Sequence, residues 1–252
     1  SKISLSHEFW IDPVSYHLTN KEIITAGVFI GDNFEGDQIA FSRDYFKNLN
    51  LFSNNKKINI VGRLGDFPAL SIKKTFKGLN IIQIESQMNY VHYNNLLKFE
   101  VFSRKKGYNN LADIHKKNNY PESFIESYKR YAKSLVSVET IDGNDVDTNM
   151  ELELIFLDNP LKNLKKNKRI LLEYQNKILA DHKVSIMSFN NGYFRKEYVK
   201  TNKDGYFEYF FKNDTKYLIE SVVIIEGSNK KKHNYAKWHS LWTSYTFRTP
   251  DK

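Results

Sequence analysis

Hydrophobic and polar residues alternate in short runs along most of this chain, which is the pattern of half-buried β-strands. In residues 79–85, for example, Ile82 and Ile84 share one face, and Gln83 and Glu85 share the other. Turn-forming sequences such as Asn-Lys-Asp-Gly at residues 202–205 separate the runs. The same criteria predict strands over residues 23–30, 57–63, 69–73, 151–157, 169–174, 184–189, 205–211, 217–226 and 241–248. The pattern predicts an all-β protein.

One segment has the spacing of a helix instead. It opens at Tyr-Pro-Glu, with Pro121 at the first helical position, and extends to about Val136. An apolar stripe at helical spacing is formed by Phe124, Tyr128, Tyr131, Ala132 and Leu135. The sequence therefore predicts a helix over about 121–136, and residues 95–106 are a second helix candidate.

A polar, glycine-containing cluster divides the chain. Residues 142–145 read Asp-Gly-Asn-Asp, which is the best candidate for a domain boundary. The interpretation is an N-terminal β-sandwich domain over residues 1–143, with the helical insertion late in it, and a C-terminal β-sandwich domain over residues 150–252. The second part has about seven short strands in about a hundred residues, which is the size of an immunoglobulin-like sandwich.

Composition narrows the class of function. None of the 252 residues is cysteine, so thiolate metal sites, cysteine nucleophiles and disulfides are excluded. No apolar run reaches the roughly 18 residues that would cross a bilayer as a helix. The net charge is +9, but lysine greatly outnumbers arginine, whereas nucleic-acid recognition favours the arginine fork. We expect no nucleic-acid partner, and the absence of cysteine fits an oxidising compartment.

Six motifs, in order and at similar spacing, resemble one family of periplasmic proteins. The first is His-Glu-Phe-Trp-Ile-Asp-Pro at residues 7–13. The others are Gly-Asp-Asn-Phe-Glu-Gly at 31–36, Glu-Ser-Tyr-Lys-Arg-Tyr-Ala-Lys at 126–133, Leu-Ile-Phe-Leu-Asp-Asn-Pro at 154–160, Thr-Asn-Lys-Asp-Gly-Tyr-Phe at 201–207 and Trp-His-Ser-Leu-Trp-Thr-Ser at 238–244. The family is commonly labelled as nickel uptake transporters or as the periplasmic component of a cobalt transport system.

The resemblance implies an exported, periplasmic protein of two β-sandwich domains, the second similar to carboxypeptidase regulatory-like domains. It further implies a binding or accessory protein for transition-metal uptake, with nickel or cobalt as the metal and no organic cofactor. Components of a metal-uptake transporter or an outer-membrane receptor would be its partners.

Any metal site in this chain must use histidine and carboxylate ligands, because cysteine is absent. The seven histidines form no His-x-His or His-x-x-x-His cluster, so a site must be assembled from distant segments. The family motif makes His7 with Glu8 the first candidate, and His17 and His239 are the next. Nickel and cobalt are the expected metals, with zinc and copper left open. The alternative is that His7 is a structural histidine packed near Trp10 at a domain seam.

A second candidate site follows from the predicted helix. Glu126, Arg130 and Lys133 are spaced to share one helix face, and Trp10 completes this ligand-binding set. That face is either solvated or lines a cleft for an anionic ligand or chelate. Two other functions stay open: an interaction module that binds a partner protein or glycan, and an enzyme. Serine-hydrolase, zinc-protease and P-loop motifs are absent from the sequence, so no catalytic residue is assigned.

Overall fold

A computed structural model describes residues 7–20, 22–227 and 235–251. In these residues the chain forms eighteen strands and two helices. The strands are β1 Glu8–Pro13, β2 His17–Leu18, β3 Ile24–Asp32, β4 Glu35–Ile39, β5 Phe46–Ser53, β6 Lys56–Asn59, β7 Leu70–Ile72, β8 Gly78–Ser86, β9 Asn89–Tyr93, β10 Phe124–Val138, β11 Leu152–Phe156, β12 Lys168–Tyr174, β13 Lys177–Ile178, β14 Lys183–Asn190, β15 Tyr193–Lys200, β16 Tyr206–Tyr209, β17 Lys216–Glu226 and β18 Ala236–Arg248. The helices are α1 Leu96–Lys105 and α2 Leu111–Lys117. The predicted all-β class is confirmed.

The strands form one large central sheet and two small sheets. The central sheet has the order β15-β14-β17-β18-β10-β8-β5-β6, with β2 and β9 also paired to β10. One small sheet contains β1, β3, β4 and β7, and the other contains β11, β12, β13 and β16. Each small sheet packs on the central sheet, so the fold is built from β-sandwich layers.

The two small sheets cover opposite faces of the central sheet. In β8, Ile82 and Ile84 belong to the core beneath the first small sheet, whereas Leu79 and Ile81 belong to the core beneath the second. Alternate residues of one strand point to opposite faces, so each face of β8 is buried by a different partner. The helices α1 and α2 cover the part of the first face that lies over β17 and β18.

The predicted helix over 121–136 is wrong, because this segment is the central strand β10. The residues of its predicted apolar stripe come from both faces of this strand. Phe124, Tyr128 and Ala132 lie on the face that holds the helices and the first small sheet, and Tyr131 and Leu135 lie in the core beneath the second. A strand buried on both faces lacks the period-2 signal that identifies half-buried strands. The helix candidate at 95–106 is confirmed as α1.

The sheet pairing crosses the predicted domain boundary. Strand β10 precedes residues 142–145 and β18 follows them, yet the two pair in parallel from Ile125–Ala236 to Ser134–Thr246. Residues from both sides of the boundary also share one hydrophobic core, in which Leu79 and Tyr131 lie with Leu152 and Ile170. The two halves are therefore joined through a common sheet, and their division into two domains stays a prediction.

Strand β1, which carries the first family motif, lies where the first small sheet meets the central sheet. Phe9 and Ile11 enter the core of the first sandwich, and Trp10 packs against Met187 and Leu218 on the central sheet. Ser244 Oγ donates a hydrogen bond to the carbonyl oxygen of Phe9 at 2.6 Å. We call this contact region the seam.

Thr246→Val is expected to lower the free energy of unfolding by about 1–2 kcal/mol. Thr246 Oγ1 donates to the buried carbonyl of Ile11 at 2.6 Å, and valine keeps the shape but removes the donor. The matched control is Thr243→Val on the same strand, which should be neutral, because Thr243 Oγ1 is buried with no hydrogen-bond partner in the described part of the chain. Urea unfolding of both variants checks this, and equal losses would contradict it.

Candidate functional site

The seam contains a cavity of about 520 Å³, which we call the seam pocket. Three layers build it: the first small sheet, helix α1, and strands β14, β15 and β17 of the central sheet. Its volume is in the range of small-molecule sites. Its charged lining comprises four lysines, Lys105, Lys106, Lys183 and Lys196, and three carboxylates, Glu8, Asp32 and Glu220. The seam pocket is therefore a charged site at the junction of the two halves.

Two buried carboxylates form the floor of the seam pocket. Glu8 and Glu220 are 1% and 3% exposed. Glu8 accepts hydrogen bonds from Lys196 Nζ at 2.8 Å and from the backbone N–H of Asn33 at 2.6 Å. Burial, and after it the negative charge of Glu220, raise the pKa of Glu8. Glu220 forms an ion pair with Lys106 through Oε1, while its Oε2 accepts no hydrogen bond from any residue that the structure describes.

Lysines line the pocket beside these carboxylates. Lys183 Nζ donates to the carbonyl oxygen of Lys105 at 2.8 Å and lies 4.1 Å from the centroid of the Tyr198 ring. Burial lowers the pKa of Lys183, and the positive charges of Lys106 and Lys196 lower it further. Within the described ranges, neither Lys105 nor Lys183 has a carboxylate at salt-bridge distance. These two lysines carry positive charge that no described carboxylate neutralises at salt-bridge distance.

Glu126 and Arg130 share a face, as predicted, but the element is strand β10 and not a helix. Both residues lie beneath the helices. Glu126 accepts hydrogen bonds from Tyr93 Oη at 2.9 Å and from Ser240 Oγ. Burial raises the pKa of Glu126 to about 7, although both hydroxyls and the nearby Arg130 oppose the shift. The Arg130 guanidinium is buried and lies 4.7 Å from the Tyr128 ring centroid. Arg130 also interacts with Glu220, so this buried pair borders the floor of the seam pocket.

Lys133 does not share that face, and the expected three-residue stripe is wrong. In a strand, residues seven apart point to opposite faces, whereas in a helix they lie on the same one. Lys133 Nζ lies 2.9 Å from Asp145 Oδ1 and 2.9 Å from Glu153 Oε1, in the core beneath the second small sheet. It therefore serves the packing of the second half and does not line the seam pocket.

Trp10 lies beside the seam pocket and does not line it. Its ring stacks on Phe29 with centroids 5.5 Å apart and meets the edge of Phe34 at 6.2 Å. Its indole nitrogen is buried with no hydrogen-bond partner among the described residues. In the structure Trp10 therefore packs the seam.

The structure does not gather the candidate metal ligands. His17 Nδ1 lies 2.8 Å from Ser137 Oγ, and His239 Nδ1 lies 3.0 Å from Ser127 Oγ. Ser127 and Ser137 are ten residues apart on β10, so these two histidines are separated by about 33 Å. His7 Nδ1 lies 2.9 Å from Asp32 Oδ2, at the rim of the seam pocket. Among the described residues, no three His, Asp or Glu side chains are grouped so as to hold a metal ion.

Most residues of the seam pocket were not predicted from the sequence as site residues. Glu8 was selected for its motif, but Lys106, Lys183, Lys196 and Glu220 were not selected at all. Only Glu220 carries a sequence signal, because it interrupts the apolar run of residues 217–226, and a charge inside a buried strand needs a partner or a function. The lysines resemble the other surface lysines of this lysine-rich chain, and only the tertiary fold brings them together.

Comparisons with known proteins give a family. A family model described as "Domain of unknown function (DUF4198)" matches residues 4–224. No curated protein sequence matches the chain. Among solved structures, the chain is similar to the chicken CNTN1 FN1–FN3 domains with 7% identity and a TM-score of 0.19, over 97% of this chain and 69% of that one. That TM-score carries no argument about fold or function. No helix in the described ranges is long and apolar enough to cross a membrane.

Proposed function

We propose that this chain, which belongs to the DUF4198 family of unknown function, is a binding protein and not an enzyme. Its ligand occupies the seam pocket, and its cargo is a transition metal, nickel or cobalt, on the way to an uptake system in the periplasm. The observation that carries this proposal is the pocket itself, in which two buried carboxylates face lysines that have no carboxylate partner.

The chemistry of the pocket favours binding over catalysis. Glu8 and Glu220 each hold a lysine in an ion pair, so both carboxylates are positioned as charged binding groups. Ser221, which also lines the pocket, donates its hydroxyl to the backbone carbonyl of Lys183 at 2.9 Å. It is not paired with a general base as a catalytic serine would be.

The His7–Asp32 pair favours a metal as part of the cargo. An imidazole and a carboxylate at the pocket rim offer one nitrogen and one oxygen ligand, which suits nickel and cobalt and leaves zinc and copper possible as well. A pair of protein ligands suits a metal whose remaining ligands arrive with it, as in a complex with an organic acid. His17 and His239 lie too far apart to complete one site.

Chelator-treated protein is expected to melt several degrees higher in the presence of Ni²⁺ or Co²⁺ with citrate, and His7→Ala is expected to remove the shift. A ligand at about a hundred times its dissociation constant adds roughly 2.7 kcal/mol to the free energy of unfolding. His92→Ala is the matched control, because His92 is exposed on β9 and bonds Ser123 outside the pocket. A melting temperature unchanged by Ni²⁺, Co²⁺, Zn²⁺ and Cu²⁺, alone and with citrate, would contradict the metal function.

A second candidate function is an interaction module for a partner protein or glycan. Strand β15 lies at the edge of the central sheet and exposes Tyr193 and Tyr198 at 82% and 57% of their surface. Exposed aromatic rings on an open strand edge can stack on sugars or pair with an extended peptide. This is the function to test if the metals leave the melting temperature unchanged.

A further inference from the structure

We infer that the seam pocket recognises a small molecule that carries a cationic centre together with at least one carboxylate group. The inference rests on the proposed function in one respect only, that the seam pocket is the binding site. Two sources share this chemistry: a free dicarboxylic amino acid, whose ammonium is the cationic centre, and a metal ion complexed by a polycarboxylate.

The floor of the pocket contains one carboxylate oxygen without a partner among the described residues. Glu220 is almost fully buried and lines the pocket, and its Oε2 is a buried atom that accepts no hydrogen bond from the described residues. A buried acceptor without a partner is costly, so a ligand donor or cation at this oxygen removes that cost. The negative charge of Glu8 acts in the same direction, because the two carboxylates repel each other and a cation between them would relieve the repulsion.

The two pocket lysines without a carboxylate partner call for negative groups in the ligand. Lys105 and Lys183 have no carboxylate partner in the described chain, and Lys183 is held in place by the Lys105 carbonyl and the Tyr198 ring. The ammonium groups of Lys106 and Lys196 act on Lys183 as like charges, which agrees with its lowered pKa. A ligand carboxylate between Lys105 and Lys183 would form charge-assisted hydrogen bonds to both, and Lys183 is already positioned by its two contacts.

The spacing of the two regions sets the size of the ligand. Ser185 lies opposite Glu220 in the register of β14 and β17, so Lys183 is a diagonal neighbour of Glu220 on the same face. Such neighbours have Cα atoms about 7–8 Å apart, and their side chains converge on the same cavity. A molecule that bridges them has its opposite charges a few ångströms apart, as in an amino dicarboxylate or a compact metal–citrate complex. The cavity of about 520 Å³ accommodates either.

Isothermal titration calorimetry of the full chain tests this with two matched ligand pairs. L-Glutamate and glutarate have the same two carboxylates, but only glutamate carries an ammonium; nickel citrate and citrate differ in the same way by the metal. The cation-containing member of at least one pair is expected to bind about ten-fold or more tightly than its partner. Glu220→Gln should erase that difference, and Lys183→Met should weaken both members of the pair.

Lys177→Met is the control, because this exposed lysine on β13 lies outside the pocket, and it should change nothing. Lys183 is only partly buried, so its variant keeps the test valid if Glu220→Gln does not fold. A preference in the glutamate pair identifies the free amino acid as the source, and one in the citrate pair identifies the complex. Equal binding within both pairs, or no binding of any of the four, overturns the inference. A preference in the glutamate pair alone, with no His7-dependent metal shift in the melting experiment, would instead overturn the metal function alone.

Discussion

Lys133→Met is expected to lower the free energy of unfolding by about 3–5 kcal/mol, because it leaves two buried carboxylates without their cation. The Lys133 side chain is fully buried, and the side chains of Asp145 and Glu153 are 0% and 2% exposed. Its ammonium also donates to the carbonyl oxygens of Val146 and Leu154 at 2.9 and 3.2 Å. Lys133 thus joins β10 to the segment that begins the second half of the chain.

The pH dependence of this loss follows from the charges. Burial raises the pKa of Glu153, and Lys133 opposes that shift, so removal of the lysine leaves the carboxyl group still easier to protonate. Protonation removes the uncompensated buried charge, and the loss in the variant should therefore shrink as the pH falls toward 5. Burial lowers the pKa of Lys133, but Asp145 and Glu153 outweigh burial and raise it overall. In the wild type, the contribution of Lys133 is accordingly complete below pH 10.5 and is lost only as the pH rises through its raised pKa.

Lys129→Met is the matched control for this experiment. Lys129 points to the same face of β10 and pairs with Glu85 at 2.9 Å, but Glu85 keeps its bonds to Lys47 and Asn48 when Lys129 is removed. We expect a loss of about 1 kcal/mol or less. Guanidinium unfolding at pH 8 and pH 5 measures both variants. If the two lysine replacements cost the same amount, the account of Lys133 as a buried tie between the halves is wrong.

Strand β10 shows which parts of the fold the sequence could predict. Strand β12, which has one partly exposed face, was located to within one residue, because its buried residues alternate with more exposed ones. Strand β10 lies between two cores, and its buried residues also happen to fit the spacing of a helix. Contacts with residues distant in sequence, chiefly those of β18, decide whether this segment forms a helix or a strand. A local pattern contains no information about these contacts.

The candidate site, too, could be predicted only where a local sequence pattern marks its residues. The motif that begins at His7 led to the seam, because β1 supplies Glu8 to the floor of the pocket. The selected pair Glu126 and Arg130 borders the pocket, although the argument for it assumed a helix. The lysines and Glu220 come from α1, β14, β15 and β17, separated by up to about a hundred residues. Their convergence is a property of sheet order and register, which the sequence alone did not supply.

Glu126→Gln is expected to remove a pH dependence of stability worth about 3 kcal/mol. The pKa of this fully buried carboxyl rises from 4.5 to about 7, and each unit corresponds to about 1.4 kcal/mol. Between those values the folded protein holds a proton that the unfolded chain has lost. Stability therefore falls as the pH rises from about 4.5 to 7, and is lower by the full amount above pH 7. Glutamine stays neutral throughout and retains a carbonyl oxygen that can accept from Tyr93 or Ser240.

The measured quantity is the difference in unfolding free energy between Glu126→Gln and the wild type, from urea unfolding at pH 5 to 8. This difference should shift in favour of Glu126→Gln as the pH rises. A constant loss of stability from removing the charge next to Arg130 would not change that trend. Glu85→Gln is the control that should show no trend in this pH range. Burial raises the pKa of Glu85, but bonds from Lys129, Lys47 and Asn48 outweigh burial and lower it, so its charged form stabilises the fold above pH 4.5. Glu85 is therefore ionised in both the folded and the unfolded chain from pH 5 to 8, and the difference for this variant should stay constant across that range. Parallel trends in the two variants would show that Glu126 is charged in the folded protein at neutral pH, and that the floor of the seam pocket borders a buried ion pair instead of a protonated acid.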